Sequence, residues 1–130
     1  MSPTFGFVVF LALTLALLGL AVATGLRALR RRHISCVVAA ILSLAVTIYF
    51  AEKLGRHYDL AAAGAITPIH LALAKVTTAC YLLPIASGIT TIYRPAARRW
   101  HRRLAFLVLG MTVLTACTGT AMLLLATPLD

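Results

Sequence analysis

The residues of this chain that could do chemistry are few. They are four histidines, one lysine set deep in an apolar run, and three cysteines. His33 directly follows Arg30, Arg31 and Arg32, and His101 lies among Arg98, Arg99, Trp100, Arg102 and Arg103. Imidazole is the commonest metal ligand. Two imidazoles at one depth on facing helices are what a bis-histidine haem site needs, and copper is a variant of the same chemistry. His33 and His101 each begin an apolar run after a basic segment, so they share a depth. His70 would pair with His57 only if the segment between them folded inward, which would stack two cofactors across a membrane. The competing reading is interfacial: histidines beside arginines meet water, phosphate or carbonyl groups and need no cofactor.

Lys75 falls about two turns inside an apolar run, where a bare ammonium is costly. Glu52 closes the preceding run at a depth that could meet it. An intramembrane Glu52–Lys75 pair is therefore expected, with a proton or anion relay as the functional counterpart. Cys36 shares a helix face with His33 and could add a soft ligand. Cys36, Cys80 and Cys117 otherwise read as buried small hydrophobes, because the count is odd and no close metal spacing occurs. No Ser-His-Asp set, phosphate loop or pair of carboxylates appears, so hydrolase or phosphotransferase chemistry is not expected.

The elements that must position these residues follow from hydropathy. The chain is 62% hydrophobic with a mean hydropathy of +0.98, far above a soluble domain. Four apolar runs, residues 5–25, 34–52, 68–93 and 104–126, are each long enough to cross about 30 Å of hydrocarbon. Thr67 and Pro68 read as a helix start, and Pro84 predicts a kink that frees the carbonyl of Cys80. Residues 60–66 read as either a short interfacial helix or an irregular loop. Ser87 and Gly88, and Thr112, Thr115, Ala116, Thr118, Gly119 and Thr120, mark small faces suited to close helix approach.

Net charge is +9. Nine of the twelve basic residues lie in two hinges, Arg27–Arg32 and Arg94–Arg103. That pattern predicts topology rather than nucleic-acid binding: both hinges cytoplasmic and both termini outside. The missing positive charge before residue 5 argues for a retained first helix rather than a cleaved signal. The expected fold is an all-α integral membrane protein: one domain over residues 1–130, a four-transmembrane-helix bundle with a possible internal two-helix repeat. Its partners would be the lipid bilayer, anionic headgroups at the hinges, and other membrane-protein subunits.

Several stretches resemble a family of small four-span bacterial proteins that includes CtaM. They are Arg30–Tyr49, Leu82-Leu83-Pro84 through Tyr93-Arg94, Arg99-Trp100-His101-Arg102-Arg103-Leu104-Ala105, and Thr118-Gly119. The resemblance implies a role in maturation of haem–copper terminal oxidases, with histidines as metal or haem ligands. His33 and His101 match. The family tends to carry histidine near the end of the second helix and about two turns before the proline of the third. Here Glu52 and Lys75 stand in those regions, with His57 and His70 displaced. The function expected is thus a respiratory membrane protein that assists oxidase assembly or binds haem or metal. The alternatives are a non-catalytic accessory subunit of a respiratory or photosynthetic complex and, with least support, an oligomeric transporter.

Overall fold

The computed structural model describes residues 2–129. The chain is all-helical apart from two-residue extended segments at Tyr58–Asp59 and Thr127–Pro128. Its elements are α1 (Pro3–Leu26), α2 (Arg30–Gly55), α3 (Ile66–Cys80), α4 (Leu82–Tyr93) and α5 (Arg98–Leu125), with short 3-10 turns at Leu60–Ala63 and Pro95–Ala97. Four stretches are long and apolar enough to cross a membrane: α1, α2, Ile66–Tyr93 and Pro95–Leu125. This is a multi-pass membrane protein. Its large apolar side chains point outward, as at Leu42 (64% exposed) and Leu124 (81% exposed). That arrangement suits a chain whose solvent is lipid.

The chain divides into two compact units, residues 1–58 with 129–130 and residues 59–128. In the first, α1 packs along α2. The buried positions of α1 are Gly6, Thr14 and Ala21. Those of α2 are Ala40, Ser43, Thr47 and Leu54. The seam is made of small residues and hydroxyls, which let backbones approach closely where no water drives them together. Thr14, 1% exposed, is its centre. Its hydroxyl lies 2.8 Å from Ser43 Oγ, 3.1 Å from Thr47 Oγ1 and 2.7 Å from the carbonyl of Phe10. Nearer the start of α1, the Phe50 ring lies over Gly6, where an added Cβ would come within 2.5 Å of it. Phe50 also stacks on Phe10 at 5.8 Å.

In the second unit α5 packs against both α3 and α4. The expected kink is present. The helix breaks at Tyr81, between α3 and α4, where the ring of Pro84 opposes the carbonyl of Cys80. Hydroxyls again line the seam. Thr77 meets Thr115 at 3.0 Å, and the Tyr81 hydroxyl meets Thr112 at 2.8 Å. Thr112 and Thr115 also donate to carbonyls of their own helix, at Val108 and Met111.

Helix ends differ from expectation in three places. The Arg-His segments are not loops: Arg30, Arg31, Arg32 and His33 form the first turns of α2, and Arg98–Arg103 those of α5. Arginine is a good helix former, and nothing in either segment breaks a helix before Leu29 or Pro95. Thr67 does not cap α3, which begins one residue earlier at Ile66; its hydroxyl donates to the carbonyl of Leu60 instead. Pro68 then stands at the third helical position, where its missing N–H still has no helical partner. Residues 60–63 settle as a 3-10 turn, led by Asp59 accepting from the Ala61 N–H at 3.0 Å. At the start of α1, Ser2 accepts from Phe5 N–H and Pro3 takes the first helical position.

The turn between α1 and α2 is only three residues long, and its geometry is specific. Ala28 has φ of 56°. Leu29 N–H bonds to Thr24 O at 2.9 Å and Ala28 N–H to Gly25 O at 3.2 Å. This is a Schellman cap with alanine at the left-handed position that glycine usually fills. A left-handed alanine costs about 1–2 kcal/mol relative to glycine before unfolded-state entropy is counted. Ala28→Gly should therefore raise stability by about 0.5–1 kcal/mol. Ala28→Val should lower it. Thermal midpoints in one fixed detergent check both signs.

Candidate functional site

His33 sits in the first turn of α2, half-buried against α1. Its Nδ1 lies 2.8 Å from the carbonyl oxygen of Ala21. A carbonyl only accepts, so Nδ1 carries a proton. The ring rests on Gly25. A Cβ there would stand 3.1 Å from Nδ1 and 3.2 Å from Cε1. Glycine is what lets the imidazole lie close to the backbone of α1 near its C-terminal end.

His101 repeats the arrangement in the second unit. It lies in the first turns of α5, and its Nδ1 is 3.1 Å from Ser87 Oγ on α4. Ser87 Oγ also lies 3.3 Å from the carbonyl of Pro84, so the serine ties the ring to the first turn of α4. The ring rests on Gly88, where a Cβ would meet Cε1 at 3.2 Å. The two residues thus share a place in their units, at the start of the second helix of a pair. Each has a glycine under the ring. An Nδ1–H held by the protein fixes ring orientation and leaves Nε2 as the basic nitrogen, which is how ligating histidines are commonly set.

His70 follows the same rule from the second turn of α3. Its Nδ1 is 3.1 Å from Thr118 Oγ1. Thr118 Oγ1 also lies within reach of the carbonyls of Leu114 and Thr115. Gly119 lies under this ring most closely, with a Cβ placed 2.7 Å from Cε1. His57 differs. It is exposed in the segment after α2, where its N–H bonds to Leu54 O at 3.0 Å.

Glu52 is exposed near the end of α2, beside Lys53, whose Nζ stands 4.8 Å over the Tyr49 ring. Lys75 is exposed on α3, two residues before buried Thr77. Cys36 is half-buried one turn after His33; Cys80 is also half-buried and Cys117 is exposed. All three cysteines are free thiols. Among the described residues no group of three or more His, Cys, Asp or Glu side chains is placed to hold a metal ion.

Two features escape a reading of the sequence. Gly25 carries no visible mark, because its role depends on which residue of the next helix lands on it. Ser43 and Thr47 stand four apart on α2, and that spacing is the signal that would have found the hydroxyl cluster around Thr14.

No family model, curated protein or solved structure matches the chain.

The contact between His70 and Gly119 gives a sharp test of the glycine rule. Gly119→Ala should displace the ring, break its bond to Thr118 and cost about 1–3 kcal/mol. His70→Ala should make the same substitution far less harmful, with a coupling of about 1 kcal/mol or more. A double-mutant cycle on thermal stability, with the imidazole nitrogens followed by NMR, measures both.

Proposed function

We propose that the chain is an imidazole-ligand protein of a bacterial respiratory membrane, with His33 in the first unit and His101 in the second each a candidate ligand for haem or copper, and that it serves oxidase assembly. The observation that supports this most is the common setting of the two histidines. Each sets Nδ1 at hydrogen-bond distance from an oxygen of the preceding helix, and each lies on a glycine. The resemblance of the Arg-His segments to the CtaM-like family points the same way.

The donor chemistry fits such a group. An Nδ1–H imidazole binds through Nε2, and at His33 the bond to Ala21 O raises the basicity of that nitrogen. When bound, haem or copper supplies one-electron chemistry. The chain's own residues do the rest. The Ala21 carbonyl holds a proton on Nδ1 of His33, Ser87 Oγ orients Nδ1 of His101, and Gly25 and Gly88 seat the rings. The arginines around each histidine anchor the helix ends at the headgroup level.

Absorption spectroscopy and metal analysis of the intact protein, purified in mild detergent, test the reading. A Soret band or stoichiometric copper is expected. It should be lost in His33→Ala and His101→Ala and kept in His57→Ala. Absence of both signals from protein purified together with a larger respiratory or photosynthetic complex would replace this reading with an accessory-subunit role.

The orientation proposed with this function is both termini outside and both arginine-rich ends cytoplasmic. In spheroplasts, an impermeant thiol reagent should label Ser2→Cys and spare Ala97→Cys, each in a background lacking the native cysteines. Labelling of Ala97→Cys from outside would reverse the orientation.

A further inference from the structure

The first unit carries an open cleft of about 510 Å³ at its arginine-rich end, between the last turns of α1 and the first turns of α2. Its wall is two-sided in character. Leu20, Ala23 and Leu29 form an apolar part, and Arg27, Arg31 and Arg32 form a cationic part. All three arginines are exposed. We infer that this cleft is a binding site for an anionic phospholipid, with the headgroup phosphate among the guanidinium groups and the acyl chains along Leu20 and Ala23.

Four observations converge on an anion that carries a tail. First, the positive charge stands far from any carboxylate on its own helix: the nearest in sequence is Glu52, twenty residues beyond Arg32. Along a helix that is about 30 Å. Second, α2 begins without a side-chain cap and with no acidic residue in its first turn. The first-turn amides of Arg31 and Arg32 have no carbonyl four residues back within the helix, so the site adds the positive end of the helix to three guanidinium groups. Third, Arg30, Arg31 and Arg32 stand where a helix disfavours cations, a placement an anion at the same end would offset. Fourth, the apolar wall continues the lipid-facing side of α1. Leu20 is 53% exposed and Leu29 40% exposed. A free phosphate would leave that wall uncovered. Guanidinium forks match phosphate oxygens in pairs, which selects the phosphate and the net negative charge of the headgroup together.

Native mass spectrometry of the full-length protein in detergent tests this with defined probes. Phosphatidylglycerol should bind about tenfold or more tightly than phosphatidylcholine, as expected for several arginines at a lipid surface. The triple substitution Arg27→Gln, Arg31→Gln, Arg32→Gln should bring phosphatidylglycerol down to the phosphatidylcholine level. Arg98→Gln with Arg99→Gln and Arg102→Gln, in the second unit, should leave it in place. Glycerol phosphate and inorganic phosphate, titrated over the same range, should not displace the lipid. Should the triple variant lose helicity by circular dichroism, Arg31→Gln alone is read instead, with a loss of about threefold expected. The inference is overturned by equal affinity for the two lipids or by full retention in the variants of the first unit. Equal loss in both arginine sets also overturns it, as does displacement by either soluble phosphate.

Discussion

Every polar group placed between these helices must find its partner inside the protein, because hydrocarbon offers none. That constraint explains why the seams are built from serine and threonine. A hydroxyl in a membrane helix can give its proton to a carbonyl one turn back and still accept from the neighbouring helix. Thr112, Thr115 and Thr118 on α5 all donate to their own helix and all meet a partner on α3 or at Tyr81. Among the described residues no buried side-chain nitrogen or oxygen lacks a hydrogen-bond partner. Each such bond contributes only about 0.6 kcal/mol on average. Their larger effect is on register. Sliding one helix past the other would leave several hydroxyls facing methyl groups, so the positions of the histidines at the helix ends follow from the hydroxyls in the middle.

The two units reach similar ends by different routes. In the first, one threonine gathers Ser43, Thr47 and the carbonyl of Phe10 around itself. In the second, four contacts are spread along the seam, from His70 at Thr118 to His101 at Ser87. The turns differ as well. α1 stops at a left-handed alanine, whereas α4 stops because Arg94 precedes Pro95 and takes an extended backbone, φ −135° and ψ 92°. Both turns deliver a histidine onto a glycine of the preceding helix.

Much of this was legible in the sequence, for physical reasons that can be named. Run length and arginine placement gave the four spans, since a membrane tolerates few alternatives. Pro84 located the helix break through the carbonyl it opposes. The small faces at Ser87-Gly88 and Thr112–Thr120 marked the seam of the second unit. Helix starts were less legible. Arg98–Arg103 looks like a loop if charge alone is weighed, but interfacial water lets a helix run past the hydrocarbon. Thr67 looks like a cap, but its hydroxyl found the carbonyl of Leu60. The histidine settings were the least legible: Nδ1 of His33 bonds to a backbone carbonyl twelve residues earlier, and any residue type supplies a carbonyl.

The break at Tyr81 has a mechanical consequence. An unbroken helix transmits tilt and rotation along its whole length. The third span is two shorter rods, of 15 and 12 residues, joined where the hydrogen-bond ladder is interrupted. His70 is carried by the first rod and Ser87, the partner of His101, by the second, while α5 runs beside both without a break. The joint lets the two rods take different tilts. The two histidine settings of the second unit are held by a common helix on one side and by separate rods on the other.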